Sequence, residues 1–156
     1  MMTPVGHIHL YAHDTALIAV IIQNERTHQF FQQLNAIEHQ QHHILQLAKT
    51  QLEQYFQGSR QYFEIPIQFI YGTVFQQKVW QQLCQIPYGQ TLSYQQLAHQ
   101  IDSPKAVRAV GSANSKNPLS IVVPCHRVIG KNGHLVGFAG GLDNKAQLLQ
   151  LEQLYL

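Results

Sequence analysis

Ile121-Val-Val-Pro-Cys-His-Arg-Val-Ile-Gly130 is the stretch around which this 156-residue chain is organised. An apolar run, Ile121 to Val123, stops at Pro124, and Cys125 and His126 follow. Val128 and Ile129 return the chain to apolar surroundings, and Gly130 begins a turn through Lys131, Asn132 and Gly133. The pattern holds a thiol in a stiff, mostly buried segment beside a titratable ring. Such a thiol becomes a strong nucleophile once a fixed base can lower or take its proton. The plainer alternative, a cysteine serving as a small core hydrophobe, fits the composition alone. The surrounding residues reverse that balance.

Downstream, a helix is expected from Asp143 to about Leu154. Glu152 lies three and four residues after Leu149 and Leu148, so it shares their inward face. A carboxylate there is costly unless a basic group pairs with it, and His126 is the available histidine. Upstream, the sequence reads as a helix-turn-helix. Ser93 and Gln96 have capping-box spacing at the start of a helix over 94–101, and Leu92 and Leu97 have staple spacing. Asp102 and Ser103 make the turn, and Pro104 is expected at the first position of the second helix. That helix turns Val107 and Val110 inward and Lys105, Arg108 and Ser112 outward. Small residues (Ala106, Ala109, Gly111, Ser112, Ala113) surround Arg108, so the helix can approach a nucleic acid backbone with one long cation projecting. Earlier still, 75–84 reads as a helix with Phe75, Val79, Trp80, Leu83 and Cys84 on one stripe. Cys84 is accordingly expected to be a buried, inert thiol.

The first half carries different signals. His7 to Ala12 and Ala16 to Ile22 flank His13 and Asp14, and both segments suit a β-hairpin. Residues 24–40 give no clear assignment. Ile44, Ala48, Leu52 and Tyr55 with Phe56 recur at helical steps over 40–57, and Gly58 suits the helix end. Tyr62 to Ile70 alternates weakly around Pro66, as an edge strand or linker would. A domain boundary is placed near Tyr71, giving 1–71 and 72–156. Residues 1–71 carry three cations against five anions and residues 72–156 seven against three, so net charges of −2 and +4 make up the total of +2. A basic C-terminal half suits a polyanionic partner. Seven histidines lie in the first half, and His39 and His43 have helical ligand spacing. No cysteine joins them, and no metal is expected. No apolar run approaches the ~18 residues a membrane span needs, and residues 1–10 lack a secretory pattern. Two cysteines that need not pair point to the cytosol.

At this density of motifs the sequence resembles the O6-alkylguanine-DNA alkyltransferases of bacterial type. The resemblance rests on Pro124-Cys-His-Arg127, with Gly72-Thr-Val-Phe-Gln-Gln-Lys-Val-Trp80, Ile86-Pro-Tyr-Gly-Gln-Thr-Leu-Ser-Tyr94, Lys105-Ala-Val-Arg-Ala-Val-Gly111 and Gly140-Gly-Leu142 in family order. It covers about residues 72–152, with a weaker match over 51–60. It implies that Cys125 attacks the alkyl carbon at O6 of a guanine and keeps the group as a thioether. His126 would act as base through a water, and Glu152 would orient His126. Tyr94 would donate to a ring nitrogen of the departing guanine, with Lys145 close enough to ease proton loss from the phenol. Arg108 would occupy the stack vacated by a flipped base, on a helix docked in the minor groove with Lys105, Ala109 and Ser112. Asn117 would brace the turn ahead of an active-site strand, with Pro124, Arg127, Phe138 and Ala139 supporting the site.

The resemblance also implies two parts: an N-terminal α/β domain, ribonuclease-H-like with a short antiparallel sheet, and a mostly α C-terminal domain with a winged-helix-like helix-turn-helix. It implies no cofactor, a monomer, and double-stranded DNA containing O6-alkylguanine as partner, with O4-methylthymine a further candidate substrate. Phe138 stands where a tyrosine is frequent, Ala139 where some members carry serine, and Gln147 and Leu151 where an aromatic residue and a histidine are often seen. The zinc-ligand cysteines of some eukaryotic relatives are absent. A non-catalytic lesion-binding protein is the main rival reading, and relatives of that kind lack the reactive cysteine. A transcriptional regulator would need an effector domain, and a cysteine hydrolase would turn over repeatedly.

Overall fold

The structure, a computed structural model, describes residues 1–24, 27 and 41–156. Gly6–Ala12 (β2) and the β-branched-rich Leu17–Ile22 (β3) form an antiparallel pair, with the short Met2–Thr3 (β1) on the outer edge of β2. In β3 every residue but Ile18 is buried, as a strand covered on both faces requires. Two segments dock on its free edge. Leu17 N donates to Pro66 O at 2.8 Å and Gln68 N to Leu17 O at 3.0 Å, so the alternating 62–70 segment runs beside it. Val20 N donates to Pro118 O at 2.9 Å and Ser120 N to Val20 O at 3.1 Å. The N-terminal sheet therefore holds, by backbone hydrogen bonds, the residues that lead into Cys125.

Helix α1 (His43–Phe56) lies against this sheet through Ile44, Ala48, Leu52 and Tyr55, the stripe expected from periodicity. Gly58, at φ 77°, ends it: Gly58 N donates to Tyr55 O and Ser59 N to Gln54 O. A Cβ at Gly58 would come within 2.3 Å of the Tyr155 ring, so the C-terminal residues close over that end of the helix.

The C-terminal part is helical. Helix α2 (Val74–Leu83) starts with a complete Thr73/Gln76 capping box, and α3 (Tyr94–Gln100) with the Ser93/Gln96 box. Helix α4 (Val107–Ser115) packs on both, with Trp80 Nε1 donating to Ala113 O at 2.7 Å. Strand β4 (Leu92–Ser93) pairs in parallel with β5 (Val128–Ile129), and α5 (Leu142–Leu154) closes the chain. The α/β part with its antiparallel sheet and the mostly helical part are as expected.

Two local expectations are corrected. Pro104 does not open the second helix of the helix-turn-helix. Ala106 N donates to Ser103 O across a tight turn, and the first helical bond is Val110 N to Ala106 O, so α4 starts at Val107. Cys84 is exposed, not buried: α2 ends at Leu83, and the Cys84 thiol turns back to Trp80 O at 3.5 Å on the helix's own last turn.

Candidate active site

Cys125 opens a single 3-10 turn, Cys125–Arg127, that presents three consecutive functional groups from one buried loop. The approach to it is a reverse turn. Val122 N donates to Ser120 O at 2.9 Å and Val123 N to Leu119 O at 2.8 Å. Ile121 adopts φ 73°, which no strand accommodates. For a buried β-branched residue this conformation costs about 1–3 kcal/mol and persists only where the surroundings impose it. Asn117 supplies part of that constraint: its Nδ2 donates to Val123 O at 2.8 Å and its Oδ1 accepts from Leu119 N at 2.9 Å. The strand proper, β5, begins only after Arg127. Replacing Asn117 by alanine strands two buried backbone groups, so unfolding should become easier by about 3 kcal/mol in a denaturant titration. A change below about 0.5 kcal/mol would mean that the turn holds without it.

Behind the turn lies one carboxylate with an unusual set of donors. Glu152, on the inward face of α5, is fully buried. Its Oε1 accepts from His126 Nε2 at 2.7 Å, from Arg127 Nη2 at 2.9 Å and from the Tyr55 phenol at 2.8 Å. Its Oε2 accepts from Arg127 Nε at 2.9 Å and from the Gly89 amide at 3.1 Å. Arg127 spends its remaining Nη1 on Ile86 O at 2.7 Å and stacks over the Tyr88 ring at 5.6 Å. The sequence pointed to His126 as the base that Glu152 needs; the guanidinium fork of Arg127 is the larger counter-charge. Tyr55, read only as a member of a core stripe, was missed, and its helical spacing carries no sign of a contact 97 residues away.

Burial alone would raise the Glu152 carboxyl. The hydrogen bond from His126 and the fork from Arg127 outweigh it and hold the group down to about 2. A folded-state pKa below the ordinary value of 4.5 stabilises the fold above that value. Stability should therefore fall as pH drops from about 4.5 through about 2, as followed by unfolding midpoints in that window. A midpoint that stays constant over it would mean that Glu152 is not held as an anion.

His126 is lowered by burial more than Glu152 raises it, so the ring is neutral at pH 7. With Nε2–H given to the carboxylate, the unprotonated nitrogen is Nδ1, which is buried and has no hydrogen-bond partner among the described residues. Burial pushes the Cys125 thiol up; Asn117, the Lys145 charge and nearby backbone amides oppose it only in part. The resting thiol is protonated, and a neutral imidazole is its neighbour in the chain.

Lys145 is wholly buried, and among the described residues it has no carboxylate partner. Its ammonium donates to Val128 O at 2.5 Å and Val136 O at 2.8 Å and lies 5.8 Å from the Tyr94 ring centroid. Burial lowers it to about 8. The Tyr94 phenol donates to the same Val136 carbonyl at 2.7 Å; burial, then the proximity of Cys125, push it up to about 12. Phe138 is buried, and the Ala139 carbonyl accepts from Asn24 Nδ2 at 2.6 Å, which ties this loop to the N-terminal part. Lys105, Arg108, Ala109 and Ser112 are exposed, while Val110, Ala113 and Asn114 of α4 are buried. Lys105 sits in the turn before α4 rather than on it. Among the described residues no group of three or more His, Cys, Asp or Glu is placed to hold a metal ion. His39 lies outside the described residues, so the His39/His43 pair has no structural counterpart here. No helix among the described residues is long and apolar enough to cross a membrane.

Two family models divide the chain between them. The DNA-binding domain of 6-O-methylguanine DNA methyltransferase matches residues 74–154, and the ribonuclease-like domain of the same proteins matches residues 1–69. The chain belongs to this family. The constitutive methylated-DNA--protein-cysteine methyltransferase of Bacillus subtilis is 44% identical over 153 residues, 97% of this chain and 92% of that protein. A crystal structure of the Mycobacterium tuberculosis O6-methylguanine methyltransferase superposes with a TM-score of 0.88 at 38% identity, over 100% of this chain and 92% of that one. A second structure of the mycobacterial protein, in complex with DNA, gives 0.82 over 99% of this chain and 91% of that one, again at 38% identity.

Proposed function

We propose that the chain is a DNA repair protein that removes the alkyl group from O6-methylguanine in double-stranded DNA by moving it irreversibly to Cys125. The observation that carries this reading is the succession, in one buried 3-10 turn, of a thiol and a neutral imidazole whose Nε2 is fixed by Glu152. His126 Nδ1 takes the thiol proton, through a bridging water, as Sγ attacks the alkyl carbon. The carbon–O6 bond breaks, and its electron pair passes into the guanine ring. Tyr94 donates a proton to a ring nitrogen of that leaving group. Its phenol must first release Val136 O, and the Lys145 ammonium on the same carbonyl stabilises the phenolate that remains. Glu152 holds the imidazole and balances its charge once it is protonated, and Arg127 holds Glu152 in place. The products are a thioether on Cys125 and an unmodified guanine.

A thioether has no leaving group that water displaces readily, and no second thiol stands ready to resolve it. Repair is therefore stoichiometric. Incubating a limiting amount of protein with excess O6-methylguanine duplex should restore one guanine per protein molecule and then stop. Continued turnover would contradict the reading.

Arg108 fills the place of the flipped base from an exposed helix whose neighbours are small, with Lys105, Ala109 and Ser112 on the same DNA-facing side. Arg108→Ala should slow repair of duplex DNA by about tenfold or more and leave reaction with free O6-benzylguanine within about twofold. Equal losses on both substrates would remove the base-flipping role. Asn117, Pro124, Phe138 and Ala139 shape the pocket without taking part in the chemistry. O4-methylthymine, whose alkyl group sits on an equivalent exocyclic oxygen, is the second substrate of the proposal. We divide the chain near Tyr71, between the ends of the two family matches at 69 and 74. The protein acts as a monomer without a cofactor, and its free thiols suit the cytoplasm.

A further inference from the structure

We infer that Tyr55, from the N-terminal part of the chain, is a positioning residue that sets the strength of the His126–Glu152 pair. The inference rests on the reading of His126 as the base. Tyr55 lies on α1, within the ribonuclease-like match, whereas His126, Arg127, Gly89 and Glu152 all lie within the DNA-binding match. Its phenol reaches across to Glu152 Oε1 at 2.8 Å and is fully buried. The oxygen it occupies is the one that accepts from His126 at 2.7 Å.

A carboxylate oxygen shared by several donors has less electron density for each of them. Donation from Tyr55 therefore lengthens and weakens the bond from His126. The imidazole is then less strongly drawn toward its cationic form and remains an unprotonated base at lower pH. The phenol is suited to this role because burial and the adjacent carboxylate keep it protonated throughout the working range. Its ring is locked by edge contacts with Phe56 and Tyr88 and a tilted contact with Phe63, so the donor cannot swing away. The other charged or titratable groups acting on the pair are the Arg127 and Lys145 cations, the Cys125 thiol and the Tyr88 phenol. Of these, only Arg127 also bonds Oε1. Arg127 comes from the active-site turn itself. Tyr55 is the one described residue of the first 71 that bonds this carboxylate, and so the N-terminal part reaches the reacting centre through it.

Tyr55→Phe tests this, because it removes the hydroxyl and keeps the ring contacts. Two readouts are taken on the intact protein. In proton NMR, the His126 Nε2–H resonance should move downfield as its bond to Glu152 shortens. In single-turnover reaction with free O6-benzylguanine, the rate near pH 6 relative to that near pH 8 should fall about threefold. A resonance and a rate ratio both equal to wild type, whatever the change in melting temperature, would overturn the inference. Tyr55→Leu serves as the packing control: it should lower the melting temperature further and shift the pH ratio no more than Tyr55→Phe does. A larger shift of the ratio in the leucine variant would assign the effect to packing and also overturn it. The NMR readout is independent of alkyl transfer, so a protein without transferase activity would fail the proposed function while still testing Tyr55.

Discussion

Cys125→Ser should bind alkylated duplex DNA as the wild-type protein does and transfer no measurable methyl group. Serine fits the same buried seat with little change of volume, so the turn over Cys125–Arg127 and the exposed face of α4 are preserved. What changes is the proton. An alkanol is a far weaker acid than a thiol, and His126, already a weak base through burial, cannot deprotonate it at neutral pH. The loss should exceed about a thousandfold in single-turnover rate, the scale on which one catalytic group acts. Binding measured by fluorescence anisotropy with the same duplex separates lost chemistry from lost recognition. Transfer at near the wild-type rate would place the nucleophile on another residue.

Glu152→Ala should produce the largest loss of stability of any single change at the site. It leaves Arg127 as a buried cation with only Ile86 O and the Tyr88 ring, and it removes the acceptor of Tyr55, His126 and the Gly89 amide. Breaking a buried pair from one side typically costs about 3–5 kcal/mol. For a chain of this length that corresponds to a fall in melting temperature of roughly 6–20 °C. Alkyl transfer should fail with it, since the imidazole loses the group that fixes its tautomer. Glu152→Gln should be milder, because the amide oxygen keeps one acceptor. A melting temperature within about 2 °C of wild type for Glu152→Ala would mean that the cluster does not hold the two parts together.

The parts of this structure that the sequence announced are those with local causes. The β2–β3 hairpin follows from two short segments, the second rich in β-branched residues, around His13 and Asp14; the Ile44–Tyr55 stripe of α1 follows from helical spacing, and the start of α3 from the Ser93/Gln96 box. The inward placement of Glu152 follows from its distance to Leu148 and Leu149, and that placement alone required a basic partner. Where the cause is a tertiary contact, the sequence was silent or misleading. Nothing local to Tyr55 marks its bond to Glu152. Periodicity placed Cys84 on the core stripe, but α2 ends one residue earlier and the thiol folds onto its own helix. Pro104 fits a first helical position in isolation, yet the Ser103–Ala106 turn delays α4 to Val107. The run Ile121–Val123 has strand composition, and only the bracket from Asn117 and the pairing of Ser120 with Val20 reveal why Ile121 is bent into a left-handed turn. The chemistry of guanine repair entered through family resemblance, not through spacing or burial.

These contacts also explain why an α/β part accompanies a helical part that carries every proposed catalytic group. Val20 holds the backbone on the approach to Cys125, Asn24 holds the Ala139 carbonyl, and Tyr55 holds Glu152. Val20 does so through two backbone hydrogen bonds, Asn24 and Tyr55 through one side-chain bond each, and each reaches a different wall of the site.

The most direct measurement of the central claim is the intact mass of the protein after incubation with a duplex carrying one O6-methylguanine, followed by peptide mapping. The account predicts a gain of one methyl group per molecule, confined to the peptide containing Cys125 and stoichiometric with the guanine restored. An unchanged mass with the duplex still bound and unrepaired would contradict it, and would make the protein a lesion sensor whose buried thiol is structural.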